Sequence, residues 1–325
     1  MMNNELPLVS VLMTSFNSEK FIAEAIRSII NQTYANWELL IADDCSADST
    51  REVIASFDDE RIRVYHNSVN QHYLRTRNRL ANKIKGDFIT LLDSDDLCTP
   101  DRLEKQLKAF KDDPELGLCG CFVRYIDVAG KELDIPYEKP TEYNEIRKKI
   151  KNENVFTGST ILVKKSIWID IGGYRDFFNS LGYEDYDLTS RIVEKYKCIN
   201  IPDKLYIYRQ YPESSSKSNL LFNPFKLHGY ALIQKFIAER SGDGVDSLEK
   251  GDIPGIINFV MEKHKPYVED PSYIYRVFMW SHLNRKMFWL AFSYSMKAIQ
   301  IKPLKFINHK TLVLFFLIYL GIIKN

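Results

Sequence analysis

Short apolar runs alternate with segments of helical spacing over the first hundred residues of the chain. Residues 8–13 form such an apolar run, and strand-like segments follow at residues 37–42, 62–66 and 87–92. The helical segment after the first run begins near Ser18, which we expect to cap the helix. Its apolar positions recur at the spacing of one helix face: Phe21, Ile22, Ala25, Ile26, Ile29 and Ile30.

Three more helices are expected in this part of the chain. Two of them cover residues 48–57 and 73–85. The third opens at Thr99-Pro100-Asp101, with Thr99 as the cap and Pro100 in the first helical position. Four strand–helix units in series predict an α/β fold, in which a mostly parallel, Rossmann-like sheet carries helices on both faces.

After Pro114 the pattern changes, and the polar segment 132–153 gives no clear prediction. A second set of elements is nevertheless expected: strands over 117–127, 155–163 and 205–210, and helices over 165–171 and 184–196. The stretch PESSSKS at 212–218 has the composition of a boundary. We therefore predict a first domain over residues 1–217 and a helical region over residues 218–325.

Composition and charge narrow the class of protein. Of the 325 residues, 45% are hydrophobic and 27% are charged, which is typical of a globular protein and excludes a disordered chain. The net charge of +1 gives no support to nucleic-acid binding. However, residues 273–325 contain eight Lys or Arg and no Asp or Glu, so a cationic tail follows a body with a net charge of −7.

The cysteines and the apolar runs bear on the location of the protein. The five cysteines lack the spacing of a metal site, and we expect free thiols in a reducing compartment. We find no secretory signal at the N-terminus. The longest uncharged run, residues 311–323, is shorter than the roughly 20 residues that span a membrane. These features predict a cytoplasmic protein.

The strongest candidate for chemistry is the acidic cluster DSDD, residues 93–96, directly after a predicted strand. In an extended segment, alternate side chains such as Asp93 and Asp95 point the same way. Two carboxylates on one side suit Mg²⁺ or Mn²⁺. The alternative is that these acids cap the next helix, but Thr99 is better placed for that.

Two other acidic clusters carry weaker signals. Asp43 and Asp44 follow the strand at 37–42, and a helix cap explains them equally well. Glu184 and Asp185 open a predicted helix, where acids also complement the helix dipole. The sequence has no GxGxxG after the first strand, no P-loop, and neither a GxSxG nor an HExxH motif.

Taken in order, five segments resemble family 2 inverting glycosyltransferases, which have the GT-A fold. They are residues 9–50 (VSVLMTSFNSEK through ADDCSADST), NQHYLRTRN, GDFITLLDSDD, GSTILVKKSIWIDIGGY and GYEDYDLTSRI. The resemblance implies a metal-dependent enzyme of bacterial surface-polysaccharide synthesis. Such an enzyme moves a sugar from a nucleotide-diphosphate-sugar, most often a UDP-sugar, to a saccharide or lipid-linked acceptor.

The resemblance also implies a set of site residues. They are Thr14 against the nucleoside, Asp44 on the base, Arg77 near the phosphates, Asp93 and Asp95 at Mn²⁺ or Mg²⁺ with Asp95 as the direct ligand, Asp96 facing the donor sugar, and Asp185 as general base. A helix N-terminus favours an ionised, weakly basic Asp185. Two positions depart from the family: His72 stands where Gly is frequent, and Tyr211 stands where His is frequent.

Other classes of protein stay open at this stage. A sugar nucleotidyltransferase needs a Gly-rich, Arg-containing loop after the first strand, and the sequence TSFNSEK argues against it. An inactive sugar-nucleotide or glycan-binding module would have lost the DxD motif or the base, and both are present. The cationic tail is expected to bind an anionic membrane surface at the inner face of the plasma membrane, to pack on protein, or to form an oligomer contact.

Overall fold

The computed structural model describes residues 6–211, 223–284, 287–320 and 322. The chain groups into two compact units, Met1–Lys250 and Gly251–Asn325. The predicted domain boundary after residue 217 lies outside the described residues, and that division stays a prediction.

The first unit is an α/β unit with one sheet. Its described strands are β1 (Val9–Ser15), β2 (Trp37–Asp43), β3 (Ile62–His66), β4 (Phe88–Leu91), β5 (Leu97–Cys98), β6 (Leu116–Ile126), β7 (Glu132–Leu133), β8 (Leu162–Lys164) and β9 (Lys197–Arg209). Its described helices are α1 (Ile22–Ile30), α2 (Thr50–Ala55), α3 (His72–Ala81), α4 (Arg102–Asp112), α5 (Tyr143–Lys149), α6 (Lys165–Ile171), α7 (Glu184–Lys195) and α8 (Pro224–Asp243). Short 3₁₀ helices cover Gly158–Thr160 and Asp176–Phe178.

The strands follow the order β3-β2-β1-β4-β8-β6-β9-β5, and β7 pairs with β6. The pairs from β3 to β4 are parallel, as predicted. Beyond β4 the sheet is mixed, because β8 pairs antiparallel with both β4 and β6 while β9 runs parallel to β6. The fold is therefore the predicted α/β class, with a parallel half that ends at β4.

The burial of β1, β2 and α1 explains why the sequence pattern predicts these elements correctly. Every residue of β1 and β2 is buried, as expected of parallel strands covered on both faces. Helix α1 buries Ile22, Ala25, Ile26 and Ile29, which lie on one face. Together, these side chains form part of the main apolar core of the unit.

Two predicted helix caps are wrong. The Ser18 side chain does not cap α1; its hydroxyl lies 3.3 Å from the Phe16 carbonyl and 2.8 Å from the Ser94 hydroxyl. Thr99 does not cap α4 either, because Asp101 is the residue before its first turn and Pro100 lies outside the helix. Tertiary contacts determine where these side chains point, and the local sequence does not encode those contacts.

The strand predicted over residues 155–163 is also wrong for most of its length. Only Leu162–Lys164 is a strand, and Gly158–Thr160 is a 3₁₀ helix. The apolar residues Val155 and Phe156 are buried nonetheless. Their burial reflects packing of an irregular segment and not a ladder, which periodicity alone cannot distinguish.

All five cysteines lie in the described part of the chain, and all are free thiols, as predicted. Cys98, Cys119, Cys121 and Cys198 are buried, and burial raises the pKa of each of these thiols, that of Cys121 to about 12. Cys45 is partly exposed and follows Asp44 directly in the chain.

A buried ion network joins α8 and the turn after it to α7. The Arg175 guanidinium binds Asp187 through Nε at 2.9 Å and Asp246 through Nη1 at 2.7 Å. Arg191 also binds Asp187, at 2.9 Å, and Arg240 binds Asp246, at 2.5 Å. Both carboxylates are fully buried, so each depends on its arginines for solvation.

The second unit is helical, as predicted for the end of the chain. It contains α9 (Ile253–Glu269), α10 (Tyr273–Asn284), α11 (Phe288–Ile301) and α12 (Phe306–Tyr319). Met279, Leu283, Ala291 and Phe315 form its small core. The Asp270 carboxylate forms ion pairs with Arg276 at 2.6 Å, Lys305 at 2.7 Å and Lys302 at 3.7 Å. Among the described residues we find no helix with the length and apolarity needed to cross a membrane.

We expect the fold to lose stability when one partner of the buried ion network is removed. The Asp246→Asn substitution keeps the shape but leaves Arg175 and Arg240 without a full counter-charge, so the free energy of unfolding should fall by about 3 kcal/mol. Denaturant unfolding measures this change. Asp112→Asn is the control, because Asp112 forms an exposed pair with Lys108 and its loss should change stability by less than about 1 kcal/mol. Equal effects of the two substitutions would contradict the prediction.

Candidate active site

The loops that follow β1, β2 and β4 meet at one edge of the sheet. The backbone N–H of Asp44 donates to the Ser15 carbonyl at 2.8 Å, which joins the first two loops. The Ser18 and Ser94 hydroxyls lie 2.8 Å apart, which joins the first loop to the DSDD segment. The predicted site residues on these three loops therefore occupy one region, at the carboxyl ends of parallel strands.

Asp44 is held in a fixed orientation by three donors. Its Oδ1 atom accepts from Asn67 Nδ2 at 2.6 Å, from the Gln71 backbone at 3.0 Å and from the Thr76 hydroxyl at 3.0 Å. Thr14 lies near the end of β1, where it pairs in register with Ala42 of β2. The strand ends thus bring the two predicted nucleoside-binding residues, Thr14 and Asp44, to the same edge.

Asp43, the other acid of this pair, has a structural role. It is fully buried, and it accepts from Arg51 Nε at 2.6 Å and from the Ser46 backbone at 3.3 Å. Burial alone would raise the pKa of Asp43, but the hydrogen bonds from Ser46 and Arg51 lower it overall. The spacing of the two acids does not distinguish Asp43 from Asp44, whereas the resemblance selects Asp44. The hydrogen-bond partners also separate the two residues.

Helix α3 carries Arg77, a buried arginine of the site. Arg77 is 5% exposed and forms an ion pair with Asp93. Its guanidinium also lies 5.5 Å from the Tyr73 ring centre and 6.0 Å from that of Tyr174. Burial would lower the pKa of Arg77, but the negative charges of Asp93 and of Asp185 raise it overall, so Arg77 is a permanent cation.

The first residue of α3 explains one departure from the family pattern. His72 has a φ of +65°, in the left-handed region that favours glycine. The family often has Gly at this position, and the same backbone geometry accounts for that preference. His72 keeps the left-handed conformation despite its Cβ, and its backbone N–H donates to Asn70 Oδ1 at 2.9 Å.

The DSDD segment is a turn, and the prediction of an extended segment is wrong. The Asp96 backbone N–H donates to the Asp93 carbonyl at 3.1 Å. As a result the carboxylates have different partners. Asp93 accepts from Arg77 and from the Ser159 hydroxyl, whereas Asp95 accepts from the Tyr211 hydroxyl at 2.7 Å.

Asp96 is turned towards β9. Its Oδ2 accepts from the Tyr206 hydroxyl at 2.7 Å and its Oδ1 from the Arg209 backbone at 2.8 Å, and the residue is 2% exposed. Burial, together with the charges of Asp93 and Asp95, raises the pKa of Asp96 well above its usual value. In this structure Asp96 anchors the last strand to the site. Its contact with the donor sugar stays a prediction.

Asp95 and Asp93 are the carboxylates of this turn that would hold a divalent cation. Burial and the charge of Asp93 raise the pKa of Asp95. Among the described residues, no group of three or more His, Cys, Asp or Glu side chains could hold a metal by itself. Mg²⁺ is commonly bound by one or two carboxylates with substrate phosphates and water, and Asp95 and Asp93 match that requirement.

Asp185 lies in the first turn of α7, where the Tyr174 hydroxyl donates to its Oδ1 at 2.9 Å. It also packs on Gly158 so closely that a Cβ atom at position 158 would overlap the Asp185 carboxyl group. Burial raises the pKa of Asp185, although the Arg77 charge opposes this effect. The expectation that the helix N-terminus makes Asp185 weakly basic is therefore wrong, because burial is the larger effect.

Glu184, next to Asp185, is the second buried acid of this turn. Its Oε2 atom is buried and has no hydrogen-bond partner in the part of the chain that the structure describes. Burial and the charge of Asp185 raise the pKa of Glu184 to about 7. Asp187, in contrast, is fully buried and bound by Arg175 and Arg191, so it is a structural residue and not a second candidate base.

Sequence reasoning missed the residues that orient the acids. Tyr174, Ser159 and Gly158 lie in the segment GSTILVKKSIWIDIGGY, whose match to the family was the available signal. The resemblance assigns no role to Tyr211, which stands where the family often has histidine, yet its hydroxyl donates to Asp95. The phenol can donate to a carboxylate where an imidazole would bind a phosphate or a metal.

The raised pKa of Glu184 predicts a pH-dependent effect on stability. A glutamate titrates near 4.5 when exposed, so the folded chain binds a proton more tightly and stability falls as the pH rises from 4.5 towards 7. Gln is neutral at every pH. Glu184→Gln should therefore raise the melting temperature clearly at about pH 8 and change it much less at about pH 5. Thermal unfolding at both values tests this, with the exposed Glu115→Gln as control; an equal shift at both values would refute it.

Comparison with known proteins identifies the family of the chain. The model of the family "Glycosyl transferase family 2" matches residues 10–172. An O-antigen biosynthesis glycosyltransferase of Escherichia coli, WbnJ, is 31% identical over 245 residues, which cover 73% of this chain and 91% of that protein. A second Escherichia coli relative, the UDP-Glc:alpha-D-GlcNAc-diphosphoundecaprenol beta-1,3-glucosyltransferase WfgD, is 43% identical over 100 residues, or 31% of this chain and 40% of that enzyme.

A similar fold is found among solved structures. The crystal structure of S. aureus TarS 1-349 in complex with UDP-GlcNAc superposes with a TM-score of 0.60 at 18% identity, and the match covers 80% of this chain and 73% of that one. This likeness concerns the fold, which is of the GT-A type. With the family match over half of its length, the chain belongs to glycosyl transferase family 2 and is a glycosyltransferase.

Proposed function

We propose that the protein is a metal-dependent, inverting glycosyltransferase that moves a sugar from a UDP-sugar to a saccharide or lipid-linked acceptor in bacterial surface-polysaccharide synthesis. The observation that carries the proposal is the position of Arg77. It pairs with Asp93, and it lies beside Tyr174, which binds Asp185. Arg77 thus lies between two acids. Asp93 is suited to hold the donor phosphate and metal, and Asp185 is suited to act as the base.

The donor end of the site is formed by the loops after β1 and β2. The UDP-GlcNAc in the TarS complex and the UDP-Glc in the name of the WfgD relative support a uridine donor here. Because Asp44 Oδ1 already accepts three hydrogen bonds, we assign its Oδ2 to a base N–H. Thr14 would contact the nucleoside from the end of β1.

The chemistry follows from the acids and the cation. Asp185 takes the proton of the acceptor hydroxyl as that oxygen bonds to the anomeric carbon. The bond from this carbon to the donor phosphate breaks, its electron pair leaves with the diphosphate, and the configuration inverts. Arg77 offsets the charge that develops on the diphosphate. A Mg²⁺ or Mn²⁺ ion held by Asp95 and Asp93 would supply further positive charge at the phosphates.

Tyr174 and burial adapt Asp185 to this role. A hydrogen bond from the Tyr174 hydroxyl fixes the carboxylate, and contact with Gly158 leaves no room for it to move in that direction. The raised pKa of Asp185 makes it a stronger base than an exposed aspartate. The class of acceptor is inferred from the names of the relatives, which support a saccharide or a lipid-linked saccharide.

Asp185→Asn tests the base. The substitution keeps the shape but removes the proton acceptor, so kcat for transfer should fall by about 10²- to 10⁴-fold. The affinity for UDP, measured by calorimetry, should change only a few-fold, because the base contacts the acceptor. The donor is chosen from a screen of nucleotide-sugars for metal-dependent hydrolysis. Asp176→Asn, at an exposed carboxylate, is the control; near wild-type transfer by Asp185→Asn would place the base elsewhere.

Asp95→Asn tests the metal. Loss of one carboxylate charge should abolish most turnover, and excess EDTA should do the same to the wild type until Mn²⁺ or Mg²⁺ is restored. Asp203→Asn, at a partly exposed carboxylate paired with Lys105, is the control. Full wild-type turnover in EDTA would refute metal dependence and leave the rest of the site proposal standing. A protein that binds UDP but shows no hydrolysis or transfer with any donor would be an inactive binding module.

A further inference from the structure

The outer surface of the second unit is unusually apolar for a protein face in water. Twelve large apolar side chains between residues 287 and 322 are exposed, against nine in the whole first unit as described. Trp289 is 80% exposed, Phe306 79% and Leu304 99%. Large apolar side chains exposed in this number make the segment a candidate interaction site.

Helix α12 places part of this surface on one face. It buries Asn308, Thr311 and Phe315. The opposite side carries an exposed stripe at intervals of seven, three and four residues, which is the spacing of a helix face. We call it the α12 stripe, and its members are Phe306, Val313, Phe316 and Leu320.

Aromatic contacts extend the stripe to α11. The ring centres of Trp289 and Phe292 lie 5.8 Å apart, and those of Phe292 and Phe316 lie 5.9 Å apart. Phe288 meets Tyr319 at 5.2 Å. The first turn of α11 and the last turn of α12 thus form one aromatic end, and Trp and Tyr side chains favour the boundary between lipid and water.

Charge decides between the candidate occupants of this surface. The second unit contains ten Lys or Arg and four Asp or Glu, and all four acids precede residue 273. The carboxylate of Asp270 already forms ion pairs with Arg276, Lys302 and Lys305. A second copy of the chain docked stripe to stripe would bring Lys310 of each copy to one interface, and residues 273–325 supply no carboxylate to pair with it. An anionic surface complements this charge.

We propose that the α12 stripe and the aromatic end of α11 dock on an anionic phospholipid membrane, with α12 lying in the plane of the headgroups. The 14 residues of α12 give a length of about 21 Å, which suits a helix that lies on a bilayer and does not cross it. Lys310 is exposed on the same side of α12 and is placed to meet lipid phosphates.

Vesicle flotation of the full-length protein tests the proposal. The wild type should float with vesicles of phosphatidylcholine and phosphatidylglycerol, and not with phosphatidylcholine alone, and added salt should weaken binding. Leu320→Asp should reduce the bound fraction at least tenfold, because it puts an anion on the docking face. Lys310→Gln should reduce the partition coefficient about fivefold, the value of one basic residue near such a surface.

Matched substitutions in the first unit are the controls. Ile169 has the same 65% exposure as Leu320, so Ile169→Asp should leave flotation unchanged. Lys108→Gln, at an exposed lysine of α4, should do the same. Circular dichroism and thermal unfolding establish that each variant is folded. Donor hydrolysis in solution should be unaffected by Leu320→Asp, so the test is independent of the proposed catalytic function.

Three outcomes would overturn the proposal. One is flotation that is absent in the wild type, and another is flotation that does not require phosphatidylglycerol. The third is a wild-type dimer, seen by light scattering, that Leu320→Asp converts to monomer while flotation is absent or unchanged; the stripe would then be occupied by a second copy.

Discussion

The candidate site depends on one buried cation among several acids. Asp93, Glu184 and Asp185 come from two distant parts of the sequence, and their negative charges meet around Arg77. Without a permanent positive charge at position 77, at least one of these acids would have to bind a proton in the folded chain. Arginine suits the position better than lysine, because its charge persists when buried and its planar group can approach the rings of Tyr73 and Tyr174 while it binds Asp93.

The same arginine links two halves of the molecule that have different architectures. It sits on α3, which belongs to the parallel half of the sheet, and Thr76 beside it binds Asp44. Its partners Tyr174 and Asp185 belong to the segment after β8, where the sheet is mixed. One turn of α3 therefore contacts both the loops proposed to bind the donor and the segment that carries the candidate base. A shift of α3 would change both ends of the site together.

How much of this could be predicted from the sequence differs between the two halves. The strands β1, β2 and β4 are predicted because parallel strands buried on both faces are rich in apolar residues, and Ile22 to Ile29 mark one face of α1. The acids at strand ends were found for the same reason. The segment around Gly158 was not, because its apolar residues are buried by an irregular path that brings Gly158 against Asp185. Tyr174 and Tyr211 were missed since the partner of a phenol depends on tertiary structure alone.

The distribution of the cysteines has a practical consequence. Four thiols are buried in the first unit and hold their protons tightly, so thiol reagents would reach them only when the sheet opens. Cys45, in contrast, is partly exposed in the folded chain and is the residue after Asp44, at the proposed nucleoside end of the site. A fluorophore attached under native conditions would therefore occupy a single defined position and would report on that end of the site, whereas the number of thiols modified at longer times would report on opening of the sheet.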